Sequence, residues 1–288
     1  MASAPLPVAL VTGCSSGIGR ATALHLAHSG YRVFATIRTP EAEASLLREA
    51  EGLPIEPLRL ELLDESAVAR VAAQAIARGG RIDVLVNNAG CGQLGAVEDL
   101  SRDVLRRQFE VNVFAASQLC REVLPTMRAQ RGGTIVNVSS LAGRVSVPFI
   151  GAYCASKFAL EALTDALRIE ARPYGVRVVL IEPGPVATRF DDAVRWSRTL
   201  LPSKSVYDPS YADIAAEPVS PRAARPERVA EVIRRAVSSR NPRARYRIRG
   251  SEELIAGAVR VVPTRVLDWG IARYYGLDRR RVDSPRNP

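Results

Sequence analysis

The chain has 288 residues, 47% of them apolar and 24% charged, with 20 glycines and 19 prolines. That balance excludes collagen, coiled coil and wholesale disorder, and the length is ample for a full α/β core. Charge is the abnormal quantity: 40 Lys+Arg against 30 Asp+Glu gives a net +10, which invites a nucleic-acid or anionic-membrane reading.

The excess is not spread evenly. Residues 1–221 carry 23 basic and 23 acidic side chains, whereas residues 222–288 carry 17 arginines and seven acids. Lys157 and Lys204 are the only lysines, so a lysine at a chemically meaningful position stands out against an arginine background. Met1–Pro7 lacks a basic n-region, and Val8–Val11 is too short for a signal h-region. No window reaches the roughly 18 apolar residues of a spanning helix. Cys14, Cys91, Cys120 and Cys154 show no CxxC spacing and read as reduced, buried thiols, so a cytoplasmic location is expected. With His25 and His28 as the only histidines, no metal site is expected.

Apolar strands and helical patterns alternate along the chain. Leu6–Val11 is a short continuous apolar run, the mark of a strand buried on both faces. Gly17–Ser29 has helical spacing and stops at Gly30, a C-cap signal. Arg32–Ile37, Ile55–Leu60 and Ile82–Val86 read as strands, with helices at Pro40–Ala50 and Asp64–Arg78. A long helix from about Ser101 to Gln130 should kink or shorten at Pro125. Thr134–Val138, a helix around Tyr153–Arg172 and the strand Val176–Ile181 complete a strict β-α alternation, which argues for one parallel, doubly wound sheet with helices on both faces. The proline- and serine-rich stretch at about 190–226 reads as a mobile flap. A helix (Pro226–Ser238), an Arg-rich strand (Arg243–Arg249) and two apolar helical stretches (Leu254–Val262 and Val266–Tyr275) follow. The expected organisation is a catalytic domain over 1–250, a helical extension over 251–278 and a disordered tail over 279–288.

Strand one runs into Thr12-Gly13-Cys14-Ser15-Ser16-Gly17-Ile18-Gly19 and then a helix. Glycines at such a turn let backbone approach a pyrophosphate, and the helix N-terminus supplies free N–H groups and positive dipole. No Lys-Ser/Thr pair follows the last glycine, so this is not a P-loop. Gly13-Cys14-Ser15-Ser16-Gly17 also matches the GxSxG nucleophile elbow, but no histidine exists after His28 to serve such a hydrolase. Further on, Tyr153-Cys154-Ala155-Ser156-Lys157 puts a phenol and a rare lysine on one helical face at i, i+4. A phenol with a pKa near 10 is a poor acid-base catalyst at neutral pH unless a cation stabilises its phenolate, which Lys157 is spaced to do.

Taken with Asn87-Asn88-Ala89-Gly90, Asn112, Ser140 and Pro183-Gly184 in this order, these motifs strongly resemble the short-chain dehydrogenase/reductase family over roughly residues 6–190. The resemblance implies a Rossmann-type fold and a residue-by-residue mechanism. Tyr153 would be the general acid/base, Lys157 would hold the nicotinamide ribose and lower the tyrosine pKa, and Ser140 would hydrogen-bond the substrate oxygen. Asn112 would complete a proton relay through water. Gly13, Ser15, Ser16, Gly17, Ile18 and Gly19 would cradle the cofactor, with Glu61 and Leu62 beside the adenine and Asn88, Ala89 and Gly90 packed on it. Pro183, Gly184, Val186 and Thr188 would meet the nicotinamide. Glu61 departs from the Asp that the family usually has there.

Strand two ends Ile37-Arg38-Thr39, with no carboxylate before Glu41. An acid at this place takes the ribose hydroxyls of NAD, whereas arginine takes the 2′-phosphate of NADP, so NADP(H) is expected. The glycine loop, the run Val147–Glu161 and the Pro263–Asp268 segment look like the 17β-hydroxysteroid and retinol dehydrogenase branch. Leu94, Leu141, Val145, Val147, Phe149 and Val186 are the pocket candidates and suit a small, apolar carbonyl or alcohol substrate. The alternatives are a 3-oxoacyl-thioester or polyketide ketoreductase and, in a different class, a non-catalytic NADP-sensing protein. A homodimer or homotetramer is implied by the resemblance. Nucleic acid is not expected as a partner, because the basic tail lacks interleaved aromatics. Its alternation of Arg with apolar residues instead allows closure over the site, packing on another subunit or peripheral membrane contact.

Overall fold

The computed structural model describes residues 5–216, 220, 223–248, 254, 257–259 and 261–277. The expected tail, the 250/251 boundary and parts of the Leu254–Val262 helix lie outside these residues. Seven parallel strands form one sheet, β1 (Val8–Val11), β2 (Arg32–Ile37), β3 (Ile55–Arg59), β4 (Val84–Asn87), β5 (Gly133–Val138), β6 (Val176–Glu182) and β7 (Arg245–Arg247). Their spatial order is β3-β2-β1-β4-β5-β6-β7, so the direction of winding reverses between β1 and β4. In open α/β sheets, ligands bind at the carboxyl ends of the strands at such a reversal.

The apolar alternation along each strand sorts side chains into two layers. Ala9, Val11, Val33, Ala35, Val84, Val86 and Val136 face a layer built by α1 (Gly17–His28), α2 (Pro40–Glu49) and α9 (Pro226–Ser238). Val8, Leu10, Phe34, Leu85, Ile135 and Val178 face the opposite layer, built by α3 (Glu65–Gly79), α5 (Ala115–Ala129) and the far end of α6 (Gly151–Ala171). Burial on both faces is why the strands read as unbroken Val/Ile/Leu runs.

The expected long helix at 101–130 is broken, but not by its proline. α4 (Arg102–Phe109) passes through a π turn at Glu110–Phe114 into α5, which carries Pro125 within it. That turn carries the buried Asn112, and π turns are frequent at functional positions. The described part of the expected flap carries helices. It forms α7 (Phe190–Trp196), a 3₁₀ turn (Ser197–Leu200) and α8 (Asp208–Ala216). These helices enclose a third apolar cluster of Leu94, Ala96, Phe149, Leu201 and Tyr211, against which Tyr207, Tyr275 and Leu277 pack. Tyr275 follows α10 (Thr264–Tyr274), so the C-terminal helix closes onto this cluster.

Candidate active site

The sequence motifs converge on one edge of the sheet. Thr12–Gly13, Arg38, Glu61–Leu62, Asn88–Gly90, Ser139–Ser140 and Pro183–Gly184 each follow the carboxyl end of a different strand, β1 through β6. The β1 and β4 loops are welded together. The Thr12 hydroxyl accepts from the Asn88 and Ala89 amides, both at 3.0 Å, and Asn88 Nδ2 donates to Thr12 O at 2.8 Å. Gly13 has φ +74°, and a Cβ there would lie 2.9 Å from Ala89 Cα; a Cβ on Gly19 would lie 2.5 Å from Asn88 Nδ2 and closer still to Gly13 O. These two positions therefore exclude side chains, and the turn is drawn tight beneath the start of α1.

Above it, Ser16 is extended (φ −168°) and gives α1 no side-chain cap, so the first N–H groups of the helix stay available. Ser15, Ser16, Gly17 and Ile18 are only half-buried, and Gly17, Ala187, Thr188, Arg189 and Pro226 line a cleft beside them. Glycine backbone, uncapped helix N-terminus and open cleft together fit the pyrophosphate of a dinucleotide. Arg38 is exposed just past β2 and no carboxylate pairs with it among the described residues. Beside it, Glu61 is exposed and turns its own loop, accepting from Leu63 N at 3.3 Å. The Cys14 thiol inside the loop donates to Val11 O, and burial pushes its pKa up to about 12, so it is inert.

Near the carboxyl end of β5, α6 presents Tyr153 and Lys157 together. Lys157 is buried, donates from Nζ to Val138 O at 2.8 Å and lies 5.8 Å from the Tyr153 ring centroid. Burial lowers its pKa to about 8, against the pull of Cys91 and Glu161, which raise it. Ser140 starts a 3₁₀ turn and its Oγ accepts from Ala142 N at 3.1 Å. One lone pair is thus committed to the backbone, and the hydroxyl hydrogen is left to donate elsewhere. Ser139, its neighbour, is buried against α6, where its hydroxyl faces Glu161.

With the turn, the uncapped helix, the buried lysine and the phenol on one sheet edge, the comparison with known proteins is decisive. The family model described as short chain dehydrogenase matches residues 7–198. The chain belongs to this family. It is 37% identical over 260 residues to the uncharacterized oxidoreductase YbbO of Escherichia coli (strain K12), covering 90% of this chain and 91% of that protein. Human 17-beta-hydroxysteroid dehydrogenase type 1 is 36% identical over 252 residues, 83% of this chain and 76% of the relative. Among solved structures, a metagenomic short-chain oxidoreductase in complex with NADP aligns with TM-score 0.68 at 32% identity, covering 84% and 96% of the two chains. A short-chain dehydrogenase/reductase from Burkholderia phymatum in complex with NAD aligns with TM-score 0.77 at 27% identity, covering 100% and 99%. This short-chain dehydrogenase is an oxidoreductase by family, and its relatives include the hydroxysteroid branch that its motifs resemble.

Asn112 is buried between the β4 loop and α6. Its Oδ1 accepts from Cys91 N (2.9 Å), and its Nδ2 donates to Cys91 O (2.9 Å) and to Ser156 Oγ (3.0 Å). Both ends of the amide are committed to pinning the β4 loop onto α6, with Ser156 passing the link to Tyr153 O at 2.7 Å. Leu94 and Phe149 are the most deeply buried of the expected pocket residues. They lie 1% and 4% exposed within the third apolar cluster, where Phe149 (φ +67°) meets the rings of Tyr207, Tyr211 and Tyr275 at 5.7, 5.8 and 6.1 Å. Leu141, Val145 and Val147 are half-buried in the segment that follows Ser140, and Val186 packs on the core and bridges to Ala224. Thr188 lies against Gly17, and its hydroxyl accepts from Phe190 N at 3.2 Å, which starts α7. Pro183 O accepts from Leu141 N at 3.0 Å, which ties the Ser140 turn to β6.

Sequence reasoning missed the charges beneath the site. Glu161, one turn past Lys157, and Glu182, at the end of β6, are both buried. Arg245 on β7 reaches Glu161 (3.0 Å), Asp165 (2.6 Å) and Glu182 (2.9 Å), and Arg247 reaches Glu182 at 2.7 Å. Burial raises the Glu161 pKa, and Glu182 adds to it against the pull of Arg245. Part of the C-terminal arginine excess is therefore spent on bolting the Tyr153 helix to the sheet. The spacing of Lys157 to Glu161 was the available signal.

Phe190, the first residue of α7, was missed too. Its ring lies 5.3 Å from that of Tyr153, so α7 covers the phenol.

Proposed function

We propose that this short-chain dehydrogenase is an NADP(H)-dependent oxidoreductase that interconverts a ketone or aldehyde and an alcohol on an apolar, steroid-, retinoid- or lipid-like substrate. The observation that carries the reading is the Tyr153–Lys157 pair, a buried ammonium 5.8 Å from a half-buried phenol ring beside the glycine turn. A nicotinamide, when bound, supplies or accepts the hydride. Tyr153 gives its proton to the carbonyl oxygen in reduction and takes it back in oxidation. The Lys157 charge, present below a pH of about 8 in the free protein, lowers the cost of the phenolate. Positioned proton transfer of this kind contributes about 10²–10⁴-fold. The free hydroxyl hydrogen of Ser140 donates to the substrate oxygen and holds it toward Tyr153. Asn112 is a positioning residue, which fixes the β4 loop relative to α6.

The cofactor is held by Gly13 through Gly19, by Asn88, Ala89 and Gly90, and by Thr188. With relatives in complex with NADP and with NAD, the family alone leaves the choice of dinucleotide to local chemistry. Arg38 makes it, since an exposed guanidinium with no carboxylate partner suits a phosphate and not a diol. Leu141, Val145 and Val147 form the apolar wall, with Phe190 as the cover that substrate displaces.

Exposed Phe114, Phe158 and Ile169 on the α5 and α6 side support assembly as a homodimer or homotetramer, which light scattering measures. Free cysteines at all four positions support a reducing, cytoplasmic setting. The test of function is NADPH oxidation against steroids, retinals, acyl thioesters and small ketones, with Tyr153→Phe as control. Selective turnover of acyl thioesters would favour the ketoreductase alternative. Binding of NADPH without turnover of any class would leave a sensor.

A further inference from the structure

Apolar side chains are unusually exposed near the C-terminus. Leu254 (75%), Val261 (81%), Val266 (55%), Trp269 (68%) and Tyr274 (74%) all lie within the last stretch of described residues. Exposed apolar patches of this kind mark interaction sites. α10 explains how they come to be outside. Leu267 and Ile271, with Tyr275 just beyond the helix, form its half-buried inner face, and Tyr275 packs on the Phe149 cluster. The opposite stripe reads Arg265, Trp269, Arg273 at i, i+4 spacing, with Val266 beside it, and all four are exposed. The acid of the helix, Asp268, falls on its flank, about 100° from Trp269.

We infer that this outward face of α10 docks on an anionic phospholipid surface. An exposed tryptophan between two arginines matches the interface of such a membrane, where the indole lies at headgroup level and the guanidinium groups meet lipid phosphates. Charge complementarity decides the occupant. Residues 254–288 carry seven arginines and three acids, so a second copy would bring arginines against arginines. No helix among the described residues is long and apolar enough to cross a membrane, so the contact is peripheral. The inference is independent of the catalytic reading, because none of these side chains belongs to the Tyr153 site.

The test is co-sedimentation of the full chain with vesicles of phosphatidylcholine alone or of equal parts phosphatidylcholine and phosphatidylglycerol. A Trp196→Phe background leaves Trp269 as the single tryptophan reporter. The chain should bind only the anionic vesicles, with a blue shift of Trp269 emission and weakening by salt. Arg265→Glu/Arg273→Glu should lower the partition at least about 25-fold, from roughly fivefold per arginine, and Trp269→Ala should weaken it without altering the melting temperature. Equal binding to neutral vesicles, no binding to anionic ones, or unchanged binding by the double arginine variant would overturn the inference. So would self-association abolished by the same substitutions, which would make a second copy the occupant.

Discussion

Replacing Arg245 by methionine keeps much of the side-chain volume and removes a cation that touches three carboxylates. The Glu161 and Glu182 side chains are 6% and 0% exposed, so neither can be rescued by water. Stripping a partner from a buried ion pair costs about 3–5 kcal/mol. Arg144 stays 3.8 Å from Glu161, and Arg247 stays on Glu182, which places the loss at the lower end, about 3 kcal/mol. At roughly 2–4 °C per kcal/mol for a chain of this size, the melting temperature should fall by about 10 °C near neutral pH. The pH dependence carries the diagnostic sign. Burial already raises the Glu161 pKa above its ordinary value, and losing Arg245 raises it further. The folded variant then binds more protons than the unfolded chain between those two values, so its stability falls as pH rises through that window. The deficit relative to the parent should therefore shrink on acidification toward a pH of about 5. Thermal melts of both proteins at the two pH values measure it. A fall of less than about 2 °C, or a deficit that does not change with pH, would refute the claim that these charges are desolvated and mutually dependent.

Three further outcomes follow from the site. Arg38→Asp should move the ratio of kcat/KM for NADPH over NADH toward NADH by at least about tenfold, since a charge-assisted contact to phosphate is worth roughly 1.5–3 kcal/mol; unchanged selectivity in steady-state kinetics would remove Arg38 as the determinant. NADPH affinity, followed by its fluorescence, should weaken as pH rises through about 8, where free Lys157 loses its charge. The same depressed pKa penalises the folded state fully below about 8 and no longer above 10.5, so a rising affinity in that range would contradict the assignment. Phe190→Ala removes the ring over Tyr153 and should lower kcat/KM for an apolar substrate about tenfold, as expected from roughly 1.5 kcal/mol of lost apolar contact; a small water-soluble ketone should be indifferent to it.

The parts of the fold that were legible in the sequence are those governed by local pattern. Arg32–Ile37 and Pro226–Ser238 match their expected bounds, because a strand buried on both faces and an amphipathic helix begun by proline each leave a local signature. The glycine turn and the Tyr153–Lys157 spacing were legible for the same reason, since their chemistry fixes residue type at short range. α8 was hidden by its prolines, yet Pro209 falls in its first turn, where the missing N–H costs nothing. The π turn at Glu110–Phe114 has no periodicity of its own and is held by Asn112 reaching Cys91, 21 residues away. Arg245 and Glu161 are 84 residues apart, and nothing local in the arginine-rich stretch around β7 announced a buried carboxylate.

Transfer of deuterium tests the central claim most directly. NADPH deuterated at the reactive nicotinamide carbon is incubated with an accepted apolar ketone, and the alcohol is examined by mass spectrometry. The wild-type chain should deliver one deuterium to the carbinol carbon. Tyr153→Phe should bind the cofactor as before and lose about 10²-fold or more of that transfer. Undiminished transfer in Tyr153→Phe, or alcohol formed without deuterium, would contradict the account.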